Sequence, residues 1–376
     1  MVRTAYTINF LDAFVIGIMT VAVPLMMLEY GIGVAAIGLV FALAPLAKIL
    51  VRLAAAAAAD SIGERAIYAL SSLSGFVQPA CYLFFPTTAG FSAGKIIDGA
   101  KESLTWSVNR SNLIATAPER KHYVLAGLVS GRMIYNAFGS LAFGALFVLG
   151  GFAPSLILAC AISLAMLAYS LQVKNTHKHG SKPCLSDFSP FGRSRRFYES
   201  AGALGMGMSF YMTVLYFLAP IMFAAKGFGL GEIGMLYTGY FLLMGGTLTV
   251  LSHRKVGTEM AAGIGGLFMC GSLVAMAFAP PALLPLLFMA MAFGDAFLAM
   301  LWEEVNFAVG AKSSKRATDL ALLATPGTLL GLVSIGLSGF VVQGWGFAPI
   351  LAAGALSLAL YAAWCVRLSK MGAECS

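Results

Sequence analysis

Charge is scarce in this chain: Asp, Glu, Lys and Arg make up 11% of its 376 residues, where soluble domains carry about 25%. Histidine is nearly absent, and His122, His177, His179 and His253 all fall in polar stretches between apolar blocks. That excludes a histidine metal site or a Ser-His-Asp triad inside the apolar blocks. The six cysteines give no disulfide framework. Cys81, Cys160, Cys270 and Cys365 sit in apolar runs, Cys184 in a central polar stretch and Cys375 in the tail, so most read as small buried hydrophobes. No ATP-binding motif occurs. GLGEIG (229–234) fits a dinucleotide fingerprint but lies between two apolar runs with no βαβ unit. GFSAG (90–94) fits a nucleophile elbow without the strand–turn–helix it requires. With no nucleophile–base pair left, the chain is expected not to be an enzyme and to need no cofactor or metal.

What is present is hydrophobic: 59% of the residues, including 27 Phe, arranged in blocks. The blocks run for roughly twenty residues, the length an α-helix needs to cross a hydrocarbon core about 30 Å thick. Twelve spans are predicted, at about 6–28, 34–58, 66–86, 89–116, 123–149, 153–173, 199–224, 231–252, 260–279, 283–309, 319–342 and 347–368. The first is too long for a signal-peptide core and contains Asp12, so no cleavable leader is expected. The one long polar segment, 174–196, carries six Lys or Arg and divides the chain into residues 1–173, a basic linker 174–196, and residues 197–376. The net charge of +8 does not indicate nucleic acid. Arg3, Arg65, Arg120, Lys121, Arg254, Lys255, Lys312, Lys315, Arg316, Arg367 and Lys370 lie on the linker's side of the spans, and Lys226 alone on the other. The positive-inside rule then places linker and both termini in the cytoplasm, in a multi-pass protein of the cytoplasmic membrane.

The chain also repeats itself. YGIGVAAIGLVF (30–41) aligns without gaps to KGFGLGEIGMLY (226–237), and the same offset pairs Pro24 with Pro220. An offset of 197 pairs Asp98 with Asp295, Asn109 with Asn306 and Gly139 with Gly336. Two copies of six spans favour a transporter built from repeated bundles, with its site at their interface near the midplane.

AADSIGER (58–65) resembles the motif Gly-x-Leu-Ala-Asp-Arg-x-Gly-Arg-Arg that follows the second helix in the major facilitator superfamily. Ala59, Asp60, Gly63 and Arg65 match; Ala56, Ala58, Ser61 and Glu64 depart. Lys95-Ile-Ile-Asp98-Gly99 resembles that family's Arg-x-x-x-Gly in the fourth helix. With the six-plus-six layout and the basic central loop, the resemblance covers essentially the whole chain. It implies an all-α fold of twelve transmembrane helices in two pseudo-symmetric six-helix bundles. It also implies a conformational latch at Asp60, Gly63 and Arg65, and a central cavity lined by the first, fourth, seventh and tenth helices. The fifth span, GRMIYNAFGSLAFGALFVLGG, lacks the Pro of the proton-coupled drug antiporters.

The fourth span holds Lys95, Asp98, Lys101 and Glu102 within eight residues. A charge at the bilayer centre costs about 2.5–3.5 kcal/mol on insertion scales, so these side chains must face protein or water. Lys95, Asp98, Glu102, Trp106 and Asn109 share one helical face, with Lys101 one turn from Asp98 and able to pair with it. The tenth span presents Asp295, Trp302, Glu303 and Asn306. Under the resemblance both faces line the path, with Asp12 nearby. Lys48 pairing with Asp12, and Arg132 with Glu102, are the ion pairs expected if the charges also lock helices. Arg52, Arg110 and Glu304 read as snorkelling residues. The expected function is secondary active transport of a small polar or zwitterionic solute by alternating access, with protons as the coupling ion and the monomer as the unit. A proton-driven drug or metabolite exporter, or a non-transporting receptor or scaffold of the same fold, are the alternatives.

Overall fold

The computed structural model describes residues 2–116, 121–173, 189, 191–254, 256–310 and 316–373. Within those helices some side chains, Asp60 and Arg110 among them, fall outside the description, as does nearly all of the linker. Twelve long helices follow one another: α1 Val2–Glu29, α2 Val34–Ile62, α3 Glu64–Phe84, α4 Thr88–Thr116, α5 Lys121–Gly150 and α6 Phe152–Ser170 in the first half. In the second half come α7 Arg195–Ala225, α8 Leu230–Ser252, α9 Thr258–Phe278, α10 Leu284–Gly310, α11 Arg316–Trp345 and α12 Ala348–Ala373. The predicted spans fall on these helices with ends displaced by a few residues. Ten of the twelve are apolar and long enough to cross a membrane. The exceptions have visible causes: α4 carries its cluster of charges, and α3 carries Ser71, Ser72, Ser74 and Gln78.

Turns between helices are tight where glycine permits. Gly31, Gly63, Gly151, Gly227 and Gly346 each hold a positive φ, a region that costs other residues a steric penalty. GLGEIG proves to be a helix start: the Glu232 carboxylate accepts the Gly229 N–H at 2.8 Å as α8 begins. Among the described cysteines, Cys81, Cys160, Cys270 and Cys365 are free thiols.

Within the first half, α1 packs on α5 and α6, and α4 lies against α2 and α3. The two halves meet along α2–α11 and α5–α8. Small residues make those contacts close. A Cβ added at Gly339 would lie 2.7 Å from the Val34 carbonyl oxygen, and one at Gly234 would lie 2.9 Å from the Cα of Gly144. Ser130 of α5 donates to the Gly245 carbonyl of α8 at 2.9 Å, and Arg52 of α2 donates to Thr328 of α11 at 2.7 Å. The helix α7 is irregular. Its stretch Tyr211–Leu218 is wound as a π-helix directly before Pro220, which brings no N–H to the ladder. The Tyr237 hydroxyl donates to the Leu215 carbonyl there at 2.6 Å.

These close approaches predict that Gly339→Ala and Gly234→Ala each destabilise the purified protein by about 1–3 kcal/mol, the usual cost of overpacking. Gly246, which has open space around it, tolerates Ala. Thermal unfolding in detergent of the three variants checks the contrast.

Candidate functional site

The face of α4 predicted from helical spacing turns inward and its charges are paired. Lys95 and Asp98, one turn apart, form an ion pair at 3.2 Å, and the Lys95 ammonium also lies 4.1 Å from the centre of the Phe41 ring on α2. Glu102 pairs with Lys48 of α2. Trp106 lies under the Arg132 guanidinium of α5 at 4.8 Å, a separation at which the ring's electron-rich face attracts a cation.

The partners differ from those expected. Asp12 is held by Lys101 at 3.2 Å and by Arg132 at 3.0 Å, so the expected Lys48–Asp12 and Arg132–Glu102 pairs are interchanged. Lys101 does not pair with Asp98. It lies one position round the helix from Glu102, off the Lys95–Asp98–Glu102 edge, and that rotation carries its ammonium to α1. Arg132 further donates to the Asn9 carbonyl at 3.2 Å and to Asn9 Oδ1 at 3.0 Å.

Between the halves lies a cavity of about 270 Å³. Its first-half wall carries almost all the charge, Lys48, Arg52, Lys95, Lys101, Arg132, Asp98 and Glu102 with Gln78, Asn136 and Trp106, set among apolar Ile16, Met19, Phe41, Val129 and Met133. Its second-half wall is apolar, with Met212, Leu215, Tyr216, Met244, Trp302 and Ile335, and a single charged residue, Glu303. Of the residues singled out from sequence, Lys95, Asp98, Glu102, Trp106, Trp302 and Glu303 are thus brought together around one space.

Four others stand elsewhere. Asp12 is buried just behind the wall, in the ion pairs above. Asn109 is buried with Asn9 and accepts the Tyr68 hydroxyl at 2.7 Å. The lining part of α10 is Ala299, Trp302 and Glu303. Asp295 lies a turn beyond, where it is fully buried and accepts the Tyr240 hydroxyl at 2.7 Å. Asn306 turns back to donate to the Trp302 carbonyl at 2.8 Å. Of the latch residues, Gly63 forms the break between α2 and α3 and Arg65 is exposed at the start of α3, while the Asp60 side chain lies outside the described residues. Among the described residues no three His, Cys, Asp or Glu side chains stand close enough to hold a metal ion.

Sequence reasoning missed Gln78 and Asn136, which line the cavity while 1% and 3% exposed. A lone Gln within the apolar run 66–86 was the available signal for the first. The Gln78 side chain interacts with the Tyr82 hydroxyl one turn along α3, at a geometry looser than a well-formed hydrogen bond, and Asn136 Oδ1 makes none among the described residues.

The sequence pattern of the family described as Major Facilitator Superfamily matches residues 5–302. Among solved structures, the human organic anion transporter MFSD10 (TETRAN) superposes with a TM-score of 0.75. That likeness covers 96% of this chain and 99% of that one at 13% sequence identity. No curated protein matches the sequence.

Because Asp12 answers two buried cations, Asp12→Asn is expected to destabilise the fold by about 3–5 kcal/mol, the cost of stranding buried charge. Glu102→Gln costs less, since it strands one cation, Lys48, where Asp12→Asn strands two, and the Glu102 side chain is itself 28% exposed. Unfolding midpoints of the two variants check the order.

Proposed function

The chain belongs to the major facilitator superfamily, and on that premise we propose that this membrane transporter is a secondary active carrier of a small polar or zwitterionic organic solute. The observation that carries the reading is the cavity itself, enclosed between two six-helix halves and lined from both. A site at such an interface is what rocking of one bundle against the other exposes alternately to the two sides. Short inter-half contacts through glycine on α2–α11 and α5–α8 suit surfaces that must slide.

Protons are the coupling ion in this reading. Carboxylates inside a membrane are functional by default, and this reading assigns the coupling proton to two of them, Asp98 on the cavity wall and Asp295, which is buried behind it and accepts the Tyr240 hydroxyl. The cavity is completed within one chain, which supports the monomer as the working unit. The basic residues at the end bearing both termini support a cytoplasmic position for that end, in the cytoplasmic membrane. The motif residues Asp60, Gly63 and Arg65 belong to the α2–α3 junction, where they act as a latch between states.

Purified protein in sealed vesicles with an imposed pH gradient tests this. It should accumulate or extrude solute from a panel of organic acids, amines and amino acids in response to the gradient. Asp98→Asn and Asp295→Asn should abolish the pH response while the protein remains folded and inserted. Correctly inserted protein that moves neither solute nor proton under any gradient would mark a receptor or scaffold instead. Intact coupling in both variants would remove the proton role from these two carboxylates.

A further inference from the structure

The cavity stops short of one end of the molecule at an aromatic contact between the halves. We propose that this contact, Phe41 of α2 against Phe217 of α7, is the gate that closes the solute path toward the end opposite the termini, and that Lys95 of α4 is the positioning residue that holds it shut. The proposal rests on the transporter reading and gives that carrier a gate made of named side chains.

Successive spans alternate in direction, so α2 and α4 begin at the end opposite the termini, and α7 and α11 finish there. The first cavity residue of α2 is Phe41, seven beyond Val34, and that of α4 is Lys95, seven beyond Thr88. The last of α11 is Ile335, ten short of Trp345. At 1.5 Å per residue, about 10–15 Å of these helices lies between the cavity and that end. The halves touch directly along this length. A Cβ added at Gly38 would lie 3.1 Å from the Ile335 carbonyl oxygen, and one at Gly144 would lie 3.0 Å from that of Gly231. Backbones so close leave no room for a solute.

Phe41 lines the cavity and packs on Phe217, with ring centroids 5.3 Å apart and planes at 35°. Phe217 is fully buried and takes no part in the cavity wall, so the pair stands where the space gives way to closed helix ends. An aromatic pair suits a contact that must part, since separating it strands no hydrogen-bonding group. Phe217 also belongs to the π-wound stretch Tyr211–Leu218, a kind of irregularity that recurs at functional sites. Pro220 offers no N–H to the ladder there, so Phe217 rides on a segment that shifts without breaking a regular helix.

Lys95 supplies the lock. Its ammonium lies 4.1 Å from the centre of the Phe41 ring and 3.2 Å from Asp98 Oδ2. A cation over a ring face attracts it, and α2 and α4 belong to the same half, so this contact persists when the halves separate. Lys95 thus fixes where the Phe41 ring stands, and Phe217 is the member that comes and goes.

Thiol labelling of the full chain in a membrane tests this without any knowledge of the solute. The six native cysteines are replaced by Ala, and Ala44→Cys places a reporter on the cavity wall three residues beyond Phe41. The probe is a charged, membrane-impermeant methanethiosulfonate. It is added to whichever preparation, intact cells or inverted vesicles, shows external labelling of Tyr30→Cys, a position exposed at the end in question. Phe217→Ala should speed labelling of the reporter about tenfold, by raising the open population, and Phe217→Leu should do so by less. Phe143→Ala removes an equally buried ring, packed on Phe147 and Phe152 within the first half, and should leave the rate unchanged. Lys95→Gln should speed labelling severalfold, Lys95→Arg should restore the slow rate, and Lys95→Gln should add nothing once Phe41→Leu has removed the ring. An unaltered rate in both Phe217 variants, an equal rise in Phe143→Ala, or the same Lys95→Gln effect with and without the Phe41 ring overturns the proposal. Gated labelling in a protein that moves no solute or proton leaves the gate standing and removes the transporter reading. Gradient-driven flux with labelling indifferent to Phe217 does the reverse.

Discussion

One carboxylate holds the first half of this protein together. Asp12 of α1 is 2% exposed and sits between Lys101 of α4 and Arg132 of α5, so three helices converge on a single negative charge. An ion pair of this kind gains little over well-packed apolar residues, yet losing one member strands the others in a medium that cannot solvate them. Its consequence is positional. With Lys101 drawn to α1, the remaining charged edge of α4 turns to the cavity, and Arg132 is held where its guanidinium covers Trp106. The hydrogen bonds from Arg132 to Asn9, and from Asn9 to Asn109, extend the same arrangement along α1 and α4.

The second half is organised differently. It has no comparable cluster on its cavity wall, which is built from methionine, leucine, tyrosine and tryptophan around Glu303. Its buried carboxylate, Asp295, lies against Tyr240 among the packed rings of Tyr237, Tyr240 and Phe288. The duplication visible at Asp98 and Asp295 therefore preserved the positions of the carboxylates and not their surroundings. Where the halves touch, glycine rather than charge decides how near they come, with Arg52–Thr328 as a polar contact across α2 and α11. The π-wound stretch of α7 adds Met212, Leu215 and Tyr216 to the wall at a place where the helical ladder is already loosened.

Much of this was legible in the chain. Apolar run lengths gave the twelve helices because crossing a hydrocarbon core sets a minimum length that polar interruptions reveal. The 3.6-residue spacing of Lys95, Asp98, Glu102 and Trp106 showed which edge of α4 faces inward. Pairing was not legible, because whether Lys48 meets Asp12 or Glu102 depends on helix tilt and rotation about several axes, which no local pattern records. For the same reason the shared spacing of Asp295 and Trp302 did not reveal that the lining of α10 stops a turn short of Asp295. Gln78 escaped because one amide among the serines of α3 carries little signal.

The central claim is that the first bundle moves as a body fixed by Asp12 while its separation from the second changes. Spin-label distance measurements on reconstituted protein test it directly. One label pair lies at Leu39 and Phe340, exposed positions on α2 and α11, and another at Leu70 and Leu141, exposed positions on α3 and α5. The account predicts two distance populations for the first pair, exchanging weight as pH is changed, and one unchanging population for the second. A fixed distance across α2 and α11, or a shifting one within the first bundle, would contradict it.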